Sequence, residues 1–225
     1  MSRNHSRFSR VRVLIFDLDG TLIDSKLDLA LSVNAVLEQA GRAPLPHETI
    51  YSYVGNGAPL LVRRALGEGA TDAEVEAGVE HFLTYYREHM LDNTVTYPGV
   101  RDGLALLEGQ AMAVLTNKPT LFSREIIERL GLASYFRFIY GGNSFPGKKP
   151  DPMGVQILLR DLGANSEEAM MVGDSDVDVR TARNAGIWAC GVSYGLGVEG
   201  LRVHPPDIML ASLDELPAHL DGRGG

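Results

Sequence analysis

The spacing of apolar residues changes twice along the chain. A mainly apolar run at residues 11–16 predicts a buried strand. Apolar residues then recur every three or four positions until about residue 90, which is the period of helices that bury one face. From Pro98 onward, helical and extended segments alternate as they do in βαβ units. The sequence therefore predicts an α/β fold, a doubly wound parallel sheet with an all-helical insertion after its first strand.

The helical insertion predicts a second domain. It contains three predicted helices, each with an apolar face: residues 29–40, a helix that begins near residue 59, and residues 72–90. We expect residues 1–24 and 93–225 to form the α/β core and residues 25–92 to form a small cap domain. In the second part of the core, the predicted helices are 99–107, 122–130, 153–162, 177–184 and 213–220, and the predicted strands are 112–115, 136–140, 170–172, 187–192 and 208–210.

Composition and charge exclude several classes of protein. With 44% hydrophobic and 22% charged residues, the chain is typical of a globular domain and not of a disordered or membrane protein. The net charge of -8 argues against nucleic acid as a partner. Cys190 is the only cysteine, which excludes an internal disulfide and zinc sites based on paired cysteines. The basic segment at residues 1–10 lacks the apolar stretch of a secretory signal, so we expect a cytoplasmic protein.

The first predicted strand ends in Asp17-Leu18-Asp19-Gly20-Thr21. Residues two apart on a strand point to the same side, so both carboxylates are delivered to the carboxyl end of the sheet. Open α/β sheets bind their ligands at that edge. A simple turn is the alternative interpretation, because Asp-Gly is a common turn dipeptide.

Other predicted strands also end in polar residues, and these should share the same edge. One strand leads into Thr116-Asn117-Lys118, another leads into Asp174 and Asp178, and Lys149 lies in the loop before an intervening helix. Crowded carboxylates repel each other unless a cation neutralises them, and ligands that are all oxygen atoms favour Mg²⁺. A lysine offers a compact charge for a phosphoryl oxygen.

Each of these residues has an ordinary structural alternative. Thr116 could cap the following helix, and Asp174 and Asp178 could complement a helix dipole, a role that we assign to Asp176. The chain has four lysines against seventeen arginines, and three of the four lie in the loops at this edge. Of these, Lys148 is expected to be a surface residue.

The motifs Asp17-Leu18-Asp19-Gly20-Thr21, Thr116-Asn117, Lys149-Pro150 and Gly173-Asp174 with Asp178 resemble, in order, the four motifs of the haloacid dehalogenase superfamily. The second acid, Asp19, is typical of its phosphatase branch. Further segments are similar to the bacterial phosphoglycolate phosphatases within it: Val54-Gly55-Asn56-Gly57-Ala58, Arg64-Ala65-Leu66, Leu115-Thr116-Asn117-Lys118-Pro119 and Ser193-Tyr194-Gly195.

The resemblance implies a mechanism and a set of residues. Asp17 is the expected nucleophile and forms an aspartyl-phosphate, while Asp19 is the expected general acid and base. Thr116 and Lys149 are expected to stabilise the phosphoryl charge, and Gly20 and Asn117 to bind substrate. The expected Mg²⁺ ligands are Asp17, the Asp19 backbone carbonyl, Asp174 and Asp178.

The resemblance also implies a small phosphorylated metabolite as substrate, 2-phosphoglycolate first. In the cap, Asn56 and Gly57 precede a helix and could present backbone N–H groups to an anion. We expect Arg64 to recognise the substrate carboxylate, with Arg63 as the alternate. A cap helix that packs through its aliphatic face, with Arg64 extended to solvent, is the ordinary alternative.

Several rival functions keep the same core. These are the hydrolysis of a sugar phosphate, a nucleotide or pyrophosphate, and a hexose-phosphate mutase. A phosphonate hydrolase is disfavoured because it needs a cap lysine as Schiff base, and Lys26 at the hinge is the only lysine near the cap. A non-catalytic phosphate-binding protein is the distant alternative. We expect a monomer or a homodimer, and no membrane partner.

Overall fold

A six-stranded parallel sheet forms the centre of the molecule in the computed structural model, which describes residues 7–220. The strands within this range are β1 (Val13–Phe16), β2 (Ile23–Asp24), β3 (Val95–Thr96), β4 (Ala111–Leu115), β5 (Phe138–Tyr140), β6 (Ala169–Gly173), β7 (Trp188–Val192) and β8 (Ile208–Leu210). The order in the sheet is β5-β4-β1-β6-β7-β8. Because β1 lies at the centre, its carboxyl end is flanked by the ends of β4 and β6.

The helices surround this sheet and form the insertion. They are α1 (Lys26–Gln39), α2 (His47–Tyr51), α3 (Ala58–Leu66), α4 (Asp72–His89), α5 (Val100–Leu106), α6 (Thr120–Arg129), α7 (Met153–Leu162), α8 (Asp176–Ala185), α9 (Val198–Val203) and α10 (Leu216–Leu220). Within residues 7–220, none of them is both long and apolar enough to cross a membrane.

Both faces of the sheet are covered, which explains the mainly apolar run of β1. Leu14 and Phe16 belong to one hydrophobic cluster, which also contains residues of α5 and α6. Val13 and Ile15 belong to the second cluster, which contains residues of α7, α8 and α9. All four strand residues are fully buried. This is the arrangement expected for a doubly wound parallel sheet, so the predicted fold class is confirmed.

The chain leaves and re-enters the sheet region through a short antiparallel ribbon. Ile23 of β2 pairs with Thr96 of β3, and α1 to α4 all lie between these strands. Asp28 in α1 is completely buried and accepts hydrogen bonds from the backbone N–H groups and side chains of Asn93 and Thr94. This carboxylate therefore ties the first helix of the insertion to the segment that returns to the core.

The structure differs from the predicted elements mainly in short segments. The predicted strand 136–140 begins only at Phe138, because Ala133–Tyr135 forms a 3₁₀ turn before it. The predicted helix 213–220 starts as the 3₁₀ turn Leu213–Glu215. The ribbon and the five- and six-residue helices α2 and α9 were not predicted, because such short elements show no complete hydrophobic period. Most of the basic segment at residues 1–10 lies outside the described residues.

Candidate active site

Three chain segments bring charged side chains together at the carboxyl edge of the sheet. Asp17 directly follows β1 and Asp174 directly follows β6. Asp178 lies in the first turn of α8, and Lys149 lies in the loop before α7. Asp17, Asp174 and Asp178 each offer a carboxylate oxygen within 4.8 Å of the others, and all three are buried. We call these three residues the acidic cluster.

Lys149 is the cation that contacts the acidic cluster directly. Its Nζ atom lies 2.8 Å from Asp17 Oδ1 and 2.6 Å from Asp178 Oδ1. Burial by itself would lower the pKa of Lys149, but the two carboxylates raise it above its ordinary value. Lys149 is therefore charged, and the cluster holds three carboxylates against one ammonium group.

Burial and the excess of negative charge both raise the pKa values of two of the carboxylates, Asp17 and Asp174. Burial, together with the charges of Asp178 and Asp174, raises the pKa of Asp17 to about 7, although Lys149 opposes the effect. Burial and the neighbouring Asp178 raise the pKa of Asp174 to about 6, although hydrogen bonds from Gly197, Leu196 and Thr21 oppose the effect. A group of buried oxygen ligands with surplus negative charge fits a hard divalent cation.

The acidic cluster is fixed by hydrogen bonds to its outer oxygens. Asp174 Oδ2 accepts from the backbone N–H groups of Leu196, at 2.7 Å, and Gly197, at 2.9 Å. Asp178 Oδ2 accepts from the backbone and hydroxyl groups of Ser175, which makes a capping box at the start of α8. Asp178 thus caps its helix and joins the cluster, whereas Asp176 makes an outer contact of 3.4 Å with Arg180.

Gly20 allows the turn after β1 to approach Asp174. Its φ angle is +85°, and a Cβ atom built on it would lie 2.3 Å from Asp174 Oδ2. Any side chain would therefore collide with the acidic cluster and also strain the backbone. The Asp-Gly turn and the carboxylate pair are thus parts of one arrangement, because Gly20 lets the turn after β1 pack directly against Asp174.

The side chain of Asp19 does not join the acidic cluster. Its carboxylate lies 3.0 and 3.1 Å from Lys118 Nζ and accepts a hydrogen bond from Ser25. Lys118 Nζ also lies 2.7 Å from the hydroxyl oxygen of Tyr86, which comes from α4 of the insertion. Burial raises the pKa of Tyr86 to about 12, so its hydroxyl is neutral. The sequence placed Lys118 at the edge but did not assign it these contacts.

Thr116 and Asn117 follow β4 and face the loops around the site. Thr116 Oγ1 accepts from the backbone N–H of Lys118, and the N-cap position of α6 is Pro119, so Thr116 is not a helix cap. Asn117 Nδ2 donates to the backbone oxygens of Gly55 and Lys149, each at 3.0 Å. Asn117 therefore joins the loop before α3 to the loop that carries Lys149.

A small pocket lies between the core and the insertion, and we refer to it below as the pocket. It encloses about 40 Å³, and Asp17, Asp19, Thr116 and Asn117 line its core side. The facing walls are mainly apolar and include Leu61, Phe82, Pro119 and Phe122. A space of this size holds only a few water-sized groups, so in this structure the pocket suits a small ligand.

The cap residues predicted to bind substrate have different positions. Gly57 lines the pocket, but Asn56 and Arg64 are not among its lining residues. Arg64 lies outside the pocket: it follows Leu60 on the exposed face of α3 and donates to the Tyr53 backbone oxygen in a separate outer groove. Its contact with the substrate carboxylate stays a prediction. Arg63 also faces that groove and pairs with Asp72 at 2.6 Å. The buried face of α3, which includes Leu61, turns toward the pocket instead.

The sequence of the chain is similar to those of several phosphatases. The chain is 44% identical over 192 residues to a phosphoglycolate phosphatase from Pseudomonas fluorescens (strain Pf0-1), which covers 82% of this chain and 70% of that protein. It is 40% identical to a phosphoglycolate phosphatase from Neisseria meningitidis serogroup A, with 96% of both chains covered.

A solved structure and a family model also show similarity to phosphatases and related hydrolases. The crystal structure of a predicted phosphoglycolate phosphatase from Haemophilus somnus 129pt has a TM-score of 0.86 and 31% identity, and covers 92% of this chain and 96% of that one. The model of the haloacid dehalogenase-like hydrolases matches residues 14–192, which include most of β1, the acidic cluster and Lys149. The chain belongs to the haloacid dehalogenase-like hydrolase family.

Proposed function

We propose that this protein is a Mg²⁺-dependent phosphatase that hydrolyses 2-phosphoglycolate to glycolate and phosphate through an aspartyl-phosphate. The observation that carries the proposal is the acidic cluster with Lys149, which places Asp17 at one end of the small pocket. Relatives that are 40 to 44% identical are named phosphoglycolate phosphatases, which supports the substrate.

The metal is proposed to be held by the acidic cluster and the backbone carbonyl of Asp19. The fit rests on three buried carboxylates for which residues 7–220 supply one direct cationic partner, Lys149, and on the raised pKa values of Asp17 and Asp174, which are caused first by burial and then by the neighbouring carboxylates. When bound, Mg²⁺ supplies positive charge to the phosphoryl oxygens and to the nucleophile. Lys149 adds a second charge beside Asp17, and Thr116 offers a hydroxyl to the same group.

The first step transfers the phosphoryl group to the protein. A carboxylate oxygen of Asp17 attacks phosphorus, and the bond between phosphorus and the glycolate oxygen breaks. The electron pair of that bond remains on the glycolate oxygen, which receives a proton from Asp19, so Asp19 enters this step as the neutral acid and leaves it as the carboxylate. Asp17 and Asp19 line the same pocket, so one residue can attack while the other serves the leaving group.

The second step restores the protein. Water attacks the phosphorus of the aspartyl-phosphate, and Asp19 takes the proton that the water loses. The bond between phosphorus and the Asp17 oxygen breaks, which releases inorganic phosphate and returns Asp17 to its carboxylate form. The contact of 2.8 Å from Lys149 favours that charged form.

We propose that residues 25–92 act as a cap that sets the size of the substrate. α3 and α4 contribute Leu61, Phe82 and Tyr86 to the wall facing the acidic side chains. The pocket encloses about 40 Å³, and a two-carbon leaving group suits this space better than a sugar or a nucleoside does. The proposed substrate class is therefore the smallest phosphorylated metabolites.

The test is phosphate release from a panel of substrates: 2-phosphoglycolate, sugar phosphates, nucleotides and pyrophosphate. With Mg²⁺ we expect the highest kcat/KM for 2-phosphoglycolate, and no turnover after the metal is removed with EDTA. Trapping with acid and ³²P-labelled substrate should label Asp17. Equal or higher kcat/KM for another member of the panel would overturn the substrate but leave the phosphatase chemistry standing.

A further inference from the structure

Lys118 is a positively charged residue that lines the pocket. It is the only lysine, arginine or histidine among the residues described as lining the pocket, and its side chain is 4% exposed. The insertion supplies arginines at positions 63 and 64, but both face the outer groove. Lys149 contacts the acidic cluster. An anionic group on the leaving side of a substrate therefore has one cationic partner in the pocket.

The position of Lys118 relative to Asp19 places this charge next to the leaving group. A general acid must come within about 3 Å of the oxygen that it protonates. Lys118 Nζ lies 3.0 Å from the Asp19 carboxylate, so a group bonded to the leaving oxygen enters the same neighbourhood. In 2-phosphoglycolate, one methylene group separates that oxygen from the carboxylate.

The contacts of Lys118 also leave it able to accept a further partner. Its ammonium group contacts three acceptor atoms, both oxygens of the Asp19 carboxylate and the Tyr86 hydroxyl, and lies 4.4 Å from the Tyr86 ring centre. Two of these atoms belong to one carboxylate, so a single N–H can serve Asp19 and a second can serve Tyr86, which leaves the third for a substrate carboxylate. The apolar walls, such as Leu61 and Phe122, offer no polar side chain to such a group, and the polar side chains of Thr116 and Asn117 lie on the core side of the pocket and carry no charge.

We propose that Lys118 binds the substrate carboxylate and is the residue that selects 2-phosphoglycolate over phosphate esters without a carboxylate. This inference rests on the proposed function, because it needs a carboxylated phosphate ester in the pocket. Lys118 takes the role that the sequence suggested for Arg64. A charge-assisted hydrogen bond in a buried pocket is strong enough to discriminate substrates about 10- to 100-fold.

The test compares two substrates that differ only in the group that Lys118 is proposed to bind. Ethyl phosphate has a methyl group where 2-phosphoglycolate has its carboxylate. In the unaltered protein we expect a higher kcat/KM for 2-phosphoglycolate. In Lys118→Met the ratio of the two kcat/KM values should fall at least tenfold, with Lys118→Gln as a second variant that keeps a polar side chain.

Lys148→Met is the matched control. Lys148 is an exposed lysine in the loop at the same edge of the sheet, and its Nζ atom lies 3.9 Å from a Cβ built on Gly57, so the variant removes a positive charge near the rim of the pocket and leaves the contacts of Lys118 with Asp19 and Tyr86 in place. We expect the substrate ratio to stay within about twofold of that of the unaltered protein, which separates general attraction of anions from contact with Lys118.

A binding measurement makes the result independent of the chemical step. In an Asp17→Asn background, calorimetry should show tighter binding of 2-phosphoglycolate than of ethyl phosphate, and Lys118→Met should remove the difference. Equal losses for both substrates in the Lys118 variants would overturn the inference while leaving the phosphatase intact. An unaltered protein that does not prefer 2-phosphoglycolate would instead overturn the proposed substrate, and with it this role of Lys118.

Discussion

At the core end of the pocket, Asp17 is in contact with Lys149 and the rest of the acidic cluster, residues that together come from three chain segments, and two backbone N–H groups fix Asp174 Oδ2. At the insertion end, Lys118 meets Tyr86 across two parts of the chain through side chains alone, and the other walls are apolar. The core end is thus built for one kind of chemistry, whereas the apolar walls of the insertion end can change by substitution without touching the acidic cluster.

The largest expected effect comes from the nucleophile. Asp17→Asn keeps the shape of the side chain but removes its charge, and should lower kcat by about 10⁴-fold or more. The matched control is Asp176→Asn. Asp176 is likewise an aspartate, and it lies at the start of α8, where it contacts Arg180 and not the acidic cluster. Phosphate release would measure both variants. Comparable losses in the two would contradict the assignment of the reaction to the core end.

A second prediction concerns the close approach of the turn after β1. Gly20→Ala should reduce kcat/KM by about 100-fold, because its Cβ atom would displace Asp174, and a misplaced group at a reacting centre costs this much. Gly41→Ala is the control, since Gly41 also has a positive φ but has nothing within 4 Å of a built Cβ. Both variants should lose about 1 kcal/mol of stability from backbone strain, but only Gly20→Ala should lose activity.

Metal binding should be more stabilising at higher pH. In the metal-free fold the pKa of Asp17 is about 7 and that of Asp174 is about 6, both above the ordinary value near 4. A raised folded-state pKa contributes stability that is complete below about pH 4 and is lost as the pH rises through 6 to 7. The metal-free protein should therefore lose stability between pH 5 and pH 8, whereas Mg²⁺ should restore it.

Thermal unfolding with and without Mg²⁺ at the two pH values measures this effect. At pH 8 and a concentration of 100 Kd, saturation adds about 2.7 kcal/mol, which corresponds to several degrees in Tm. At pH 5 the increase should be much smaller, since protons occupy the acidic cluster. Asp174→Asn serves as the control, and an equal Tm increase at both pH values would contradict the assignment of the metal to the acidic cluster.

The smallest effect is expected at the outer face of the insertion. Arg64→Ala should leave kcat and KM for 2-phosphoglycolate within about twofold, because the Arg64 side chain lies in the outer groove and contacts the Tyr53 backbone oxygen. Steady-state kinetics of Arg64→Ala and Lys118→Met, measured side by side, would compare the two residues that are candidates for binding the substrate carboxylate. A large rise in KM for Arg64→Ala would contradict this prediction and would indicate that Arg64 binds the substrate.

The sequence predicted the core end far better than the insertion end, for a physical reason. Residues that follow parallel strands share one edge, so the strand pattern alone was enough to bring Asp17, Thr116 and Asp174 near each other. The position of Arg64 outside the pocket could not be predicted, because helical periodicity gives a residue's position around α3 but not which side of α3 meets the core. The contact between Lys118 and Tyr86 joins residues 32 apart through tertiary packing, and no local pattern indicates it.

The ribbon of β2 and β3 has a consequence for how such a chain can change over evolutionary time. Because Asp28 holds Asn93 and Thr94, the two ends of the insertion are fixed side by side, whatever lies between them. The entropy of closing a loop grows slowly with its length, by about 0.6 kcal/mol for each doubling. A longer or shorter helical segment could therefore replace this one at little thermodynamic expense, and a new substrate range could arise without rebuilding the sheet.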